Sequence, residues 1–236
     1  MGLNYFMIEG RASTDFGAVI ESAGVYGAPS RVYEEVSVPG RNGTLLFDEG
    51  RYENIDVSYD VAIRNDGVNL DGFRAWIQSF SSYVRIEDTY HPEEYRLGIP
   101  KGGLSPKMSQ GNKNGRLTVT FNCKPQRFLK IGEIGTPYSN DVTLFNPTHY
   151  DAQPLIRVYG YGDLGIGDET VTITSHSLSY IDLDCAMQDA FCGSTNANQY
   201  VTLSGTEYPV LKPGSNGISL DNNISSVIIY PRWWTL

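Results

Sequence analysis

The chain is short of the residues that hold metals. Its 236 residues include three cysteines, Cys123, Cys185 and Cys192, with no CxxC pair, and three scattered histidines, His91, His149 and His176. Zinc needs four clustered ligands, or three and a water, so neither a metal nor any other cofactor is expected. The spacing of Cys185 and Cys192 allows a disulfide; buried free thiols fit better in a protein assembled in a reducing cytoplasm. Positive charge is scarce too, with 18 basic against 27 acidic residues and a net charge of −9. A general nucleic-acid binder carries the opposite sign, because phosphate contacts dominate that affinity. No polybasic run addresses an anionic membrane surface, and no stretch approaches the ~18 apolar residues of a membrane span. The start, MGLNYFMIEGR, has neither the basic-then-apolar order of a secretory signal nor the serine or threonine of a myristoylation site.

Catalytic patterns are equally sparse. No serine sits in a GxSxG elbow, and the histidines have no recognisable partner spacing for a nucleophile and its base. Glu34-Glu35 and Glu93-Glu94 are adjacent, so on strands their carboxylates point to opposite faces and cannot work as a pair. Asp182 and Asp184 share a strand face, which suits an edge, a solvated face or a weak cation site, yet no calcium loop accompanies them. The glycines of YGYGDLGIGDET, Tyr159 to Thr170, lack the GxxxxGK[ST] of a phosphate loop and precede a strand, so they read as a hairpin connection. No enzyme is expected.

What is present is a β-rich composition: 40% hydrophobic residues, 16 Tyr and 25 Gly, favouring strands and tight turns. VSYDVAI alternates, with Val57, Tyr59, Val61 and Ile63 on one face, and LTVTFNC does the same with Leu117, Val119, Phe121 and Cys123. That second strand is expected to stop at KPQRF, where Pro125 has no N–H to give. One segment changes period: Leu70, Phe73, Trp76, Ile77 and Phe80 recur at three and four, predicting an amphipathic helix with Trp76 in the core and Asn69 or Asp71 as its cap. Lys101–Gly115 is polar and glycine-rich and reads as a long loop or arm. Residues 131–146 pass through Gly132, Gly135, Pro137 and Asn140, an interdomain connection by composition. Beyond it, short strands at close, regular spacing predict an all-β sandwich.

Two stretches stand out as candidate contact sites. In VPGRNG, Pro39, Gly40, Asn42 and Gly43 are turn residues around an exposed Arg41, and Asn42-Gly43 is the dipeptide that best tolerates the positive φ angles of a tight hairpin turn. In YPRWW, Tyr230, Trp233 and Trp234 with Arg232 would stack on sugars or bind a partner if exposed, or close a sandwich if buried.

In this order, VPGRNG, the tryptophan helix, FNCKPQRF, QPLIRVYGYGD, YPVLKPGSNGISL and VIIYPRWW resemble the distal tail (Dit) proteins of siphophages over nearly the whole chain, about Phe6 to Trp234. The resemblance implies a mainly β protein: an N-terminal β-sandwich or split-barrel-like domain with one helix, residues 1–135, and a C-terminal galectin-like β-sandwich, residues 136–236. It also implies a homohexameric ring at the virion's tail tip, assembled in the bacterial cytoplasm. Its expected partners are the tail-tube, tape-measure and tail-tip proteins, with a receptor-binding protein as a further one. DNA would cross the channel without specific binding, which an acidic chain suits. On a ring subunit, Arg41 on a stiff turn could reach a neighbour's carboxylate or carbonyls. None of the histidines starts the H-x-N-x-R strand with which galectins read galactosides, so fold analogy does not carry lectin activity here. A carbohydrate-binding adsorption module contacting the host cell wall, resting on the closing tryptophans and the tyrosine content, is the alternative.

Overall fold

The computed structural model describes residues 2–64, 69–111 and 113–236. The chain divides into two compact units, Met1–Arg127 with Leu236, and Phe128–Thr235.

The first unit contains β1 (Phe6–Ile8), β2 (Arg11–Ala12), β3 (Ala18–Ile20), β4 (Arg31–Ser37), β5 (Thr44–Tyr52), β6 (Ile55–Arg64), α1 (Asn69–Gln78), β7 (Val84–Asp88), β8 (Glu94–Lys101), β9 (Lys107–Met108) and β10 (Asn114–Leu129). One antiparallel sheet runs β2-β1-β7-β8-β10-β6-β3, with β9 also on β10. It curls until Ile20 N–H donates to the Asn4 carbonyl at 2.8 Å, which returns the last strand to the start of β1. The period-two residues line the inside: Val57, Tyr59, Val61 and Ile63 from β6 are buried, as are Leu117, Val119, Phe121 and Cys123 from β10. The helix closes the curl with Leu70, Phe73, Trp76 and Ile77, and Trp76 lies 5.0 Å from Phe16 and 6.0 Å from Phe6, ring to ring. Asn69 and Asp71, the expected caps, both lie inside the first turn of α1 rather than ahead of it, and the residues that precede Asn69 lie outside the described part.

Two readings of this unit need correction. β10 does not stop at Pro125 but continues to Leu129. Its ladder with β6 ends at Cys123 opposite Ile55, so Pro125 lies beyond the residues from which β6 would require a donor. Lys101–Gly115 is not wholly a loop. Its Lys107 and Met108 form β9 on Arg116 and Gly115, and Leu104 and Met108 pack against the core.

The second unit is a sandwich of β11 (Thr136–Tyr138), β12 (Val142–Asn146), β13 (Leu155–Gly160), β14 (Gly162–Ile166), β15 (Glu169–Ile173), β16 (Ile181–Asp184), β17 (Asp189–Cys192), β18 (Thr195–Asn196), β19 (Val201–Leu203), β20 (Gly214–Leu220) and β21 (Ile224–Tyr230). A six-stranded sheet, β11-β21-β13-β16-β17-β18, faces a five-stranded one, β12-β20-β14-β15-β19. Ile156, Val158, Leu183, Val227 and Ile229 from the first meet Leu164, Ile166, Val171 and Ile218 from the second in one buried core. Residues 131–146 thus hold one strand of each sheet. The glycine-rich Tyr159–Thr170 stretch contains the β14–β15 hairpin, where Ile166 pairs with Glu169 and Gly167 takes φ 59°.

Candidate assembly surface

β4 and β5 form a separate two-stranded ribbon that pairs with no other strand among the described residues. Ser37 opposite Thr44 is its last pair, so Val38–Gly43 makes the reversal. Arg41 N–H donates to the Val38 carbonyl at 3.2 Å, and Gly40 takes φ 82°. Those features, with Pro39 before Gly40, are the signature of a type II turn. Gly43 follows at φ 80°, whereas Asn42 keeps a negative φ. The tight turn expected at Asn42-Gly43 is therefore replaced by one at Pro39-Gly40, because six residues rather than two join the strands. Pro39, Gly40, Arg41, Asn42 and Gly43 are all exposed.

The ribbon's register sorts its side chains. Residues directly opposite share a face, and faces alternate along each strand. Val36 with Leu45 and Glu34 with Phe47 lie on one face; Glu35 with Leu46 and Tyr33 with Asp48 lie on the other. Tyr33, Leu46 and Phe47 are each at least half exposed (50%, 60% and 55%), and Val36 is 36% exposed. Sequence reasoning missed these residues. The available signal was TLLF, three consecutive apolar residues that put bulk on both faces of a strand.

The C-terminal candidates are occupied internally. Trp233 is 5% exposed and belongs to the second unit's core. Trp234 stacks on Tyr150 at 4.5 Å and donates its indole N–H to the Asp151 carbonyl at 3.0 Å. The Tyr230 ring lies against Gly135, where even a methyl would collide with it. Arg232, at φ 54°, grips Asp184 with two bonds of 2.7 and 3.0 Å. Asp182 is gripped likewise by Arg157, at 2.8 and 2.9 Å, whose guanidinium also lies 4.0 Å over the Tyr180 ring. The two aspartates that share a strand face are thus neutralised by two arginines and hold no open coordination sphere.

The other titratable residues among those described are mostly engaged in local pairs. His91 Nδ1 is 3.0 Å from Asp88 Oδ1, while Asp88 Oδ2 accepts the Tyr59 hydroxyl at 2.6 Å. His176 Nε2 is 3.0 Å from the Gly160 carbonyl, and His149 is exposed. Glu94 pairs with Arg127 at 3.0 Å. The three cysteines are free; Cys123 and Cys185 are buried, Cys192 half-buried. Burial pushes the Cys123 and Cys185 thiols up to about 12 each. Among the described residues no group of three or more His, Cys, Asp or Glu is placed to hold a metal ion, and no helix is long and apolar enough to cross a membrane.

No protein-family model and no curated protein matches the sequence. Among solved structures, the crystal structure of SPP1 Dit (gp 19.1), described as a paradigm of the hub adsorption apparatus in phages infecting Gram-positive hosts, superposes with a TM-score of 0.72 over 100% of both chains at 14% identity. The chain has the Dit fold. A chain of the phage P2 baseplate in its activated, calcium-bound conformation superposes less closely, with a TM-score of 0.51 at 10% identity over 97% of this chain and 98% of that one. Both units take part in the Dit match, the curled sheet with its helix and the six-on-five sandwich.

Proposed function

We propose that the chain is a structural distal tail protein, not an enzyme, and that six copies form a ring joining a siphophage tail tube to its tip or baseplate. The observation that carries this is the full-length superposition on a Dit hub protein, end to end in both chains. On this reading residues 1–135 build the ring and residues 136–236 present the galectin-like sandwich to the tip and receptor-binding proteins. The tail-tube and tape-measure proteins dock on the ring, and DNA passes through its channel without specific binding.

The surface supports the reading. An isolated two-stranded ribbon is marginal in water, and one with large apolar side chains on both faces calls for an assembly partner. The hairpin tip, Pro39–Gly43 with Arg41, is then the part of each subunit that reaches a neighbour. The sugar-binding alternative draws less from the geometry, since Trp233 is buried and Arg232 is held by Asp184.

Sedimentation velocity and negative-stain imaging of the purified chain, alone and with its tail-tube partner, test the proposal. A closed six-membered ring is the expected result. A species that stays monomeric at high concentration, with no ring on adding the partner, overturns it.

A further inference from the structure

Asn-Gly occurs three times in the chain, at Asn42-Gly43, Asn114-Gly115 and Asn216-Gly217. The pair has a covalent chemistry of its own. The backbone nitrogen that follows an asparagine can attack the side-chain amide carbon and close a succinimide, and glycine, having no Cβ, leaves that nitrogen unshielded. Attack needs a backbone free to rotate until nitrogen meets carbon. It also needs an N–H not committed to a carbonyl and a side-chain amide that water can reach. The three sites differ in how many of these conditions they meet.

Asn216 meets none. It is 4% exposed, its Nδ2 donates to the Lys212 and Gly214 carbonyls at 2.8 and 3.1 Å, and its Oδ1 accepts the Lys212 N–H at 2.9 Å. Gly217 is fixed opposite Thr143 in the β12–β20 ladder. Asn114 is exposed, but its backbone is held. Its carbonyl accepts the Ser109 N–H at 2.8 Å and its N–H donates to Ser109 Oγ at 3.3 Å. Gly115 is buried between Ile63 of β6 and Met108 of β9. Turning either peptide toward its side chain means breaking an extended ladder.

Asn42 escapes all of these constraints. It is exposed and lies in the six-residue reversal, past the last paired residues of the ribbon. Among the described residues neither its side chain nor the Gly43 N–H has a hydrogen-bond partner. A methyl built on Gly43 would meet nothing within 4 Å, so a closing ring has open space around it.

We propose that Asn42 is a site of spontaneous deamidation in the folded, unassembled chain, and that the fold protects Asn114 and Asn216. The Gly43 nitrogen forms a bond to Asn42 Cγ and gives up its proton, while the amide C–N bond breaks and ammonia leaves. Water then opens the succinimide at either carbonyl, giving aspartate, or isoaspartate with an added backbone methylene. Nothing is oxidised or reduced, and water is the only co-reactant. Either product sets a carboxylate next to Arg41, which has no ion-pair partner among the described residues. An aged tip thus presents a neutral pair where a fresh one presents a lone cation.

Peptide mapping by mass spectrometry tests this on the full chain, kept dilute in mildly alkaline buffer, folded and in denaturant. In the folded chain the amide-to-acid mass shift should appear on the Asn42 peptide alone; in denaturant all three Asn-Gly peptides should acquire it. Isoelectric focusing of the folded chain should show a gain of one negative charge. Asn42→Gln, whose longer side chain closes the ring poorly, should abolish that gain and leave the circular dichroism unchanged. An Asn42 peptide that keeps its amide in the folded chain while converting in denaturant overturns the proposal. So does an Asn114 or Asn216 peptide that converts as fast as Asn42 without unfolding.

Discussion

Asp184 is held by four donors: two from Arg232, and the backbone N–H groups of Ala186 and Met187, each at 3.1 Å. Burial alone would raise its pKa, but Arg232 and the Met187 and Ala186 amides outweigh that and hold it below the ordinary 3.8. A carboxylate with a depressed folded-state pKa contributes stability above its unfolded value and loses it as pH falls through the folded one. Asp184→Asn should therefore cost stability at pH 6, and its melting curve should converge on the wild-type curve as pH drops below about 3.8. Arg232→Ala leaves a buried carboxylate without its cation and should cost about 2 kcal/mol in guanidinium unfolding at pH 7. The thiols give a second residue-level expectation. With Cys123 and Cys185 buried and pushed up to about 12, a thiol reagent at pH 8 should modify Cys192 rapidly and the other two only after denaturation. Nothing local in YPRWW marks Arg232 as an internal ion-pair residue, since its partner lies 48 positions away and only the pairing of β13 with both β16 and β21 brings the two together.

At the scale of elements, legibility followed burial. The β6 and β10 alternations and the α1 stripe could be read because each segment buries one face against its own chain. The β4–β5 hairpin was marked only by its VPGRNG turn; its strands show no clean alternation, because apolar residues stay exposed on both of its faces. β9 was missed for a different reason, being two residues long and placed by its neighbours on β10 rather than by any pattern of its own. The ribbon's independence makes a prediction. Gly40→Ala puts a Cβ on a residue at φ 82°, a strain of about 1 kcal/mol, with no atom nearby to collide with. Hydrogen exchange should speed up at the Thr44–Phe47 amides while the main melting transition stays where it is. Gly160→Ala should behave in the opposite way. Gly160 sits at φ 112° in the β13 bulge, and a methyl there would overlap the Asn223 carbonyl. A loss of at least ~3 kcal/mol in the second unit's unfolding is expected.

For the whole molecule, strand spacing predicts a sandwich in the second half, and the fold has six strands facing five there. Sequence patterns could not say which surfaces stay open, because exposure depends on the folded topology as a whole. Assembly is where Arg41 should matter. Its side chain is solvated and the tip touches no core, so Arg41→Ala should leave the monomer's circular dichroism and melting temperature unchanged. Sedimentation should show a weaker ring, and an unaltered association constant would reduce VPGRNG to a turn. Last, the chain's three tryptophans divide cleanly: Trp76 lies in the first core, Trp233 in the second, and Trp234 is stacked on Tyr150. Each unit thus carries its own intrinsic fluorophore. With Trp76 replaced by phenylalanine, the tryptophan emission that remains belongs to the sandwich alone; with Trp233 and Trp234 replaced, it belongs to the curled sheet alone, so the two units can be watched separately without any label.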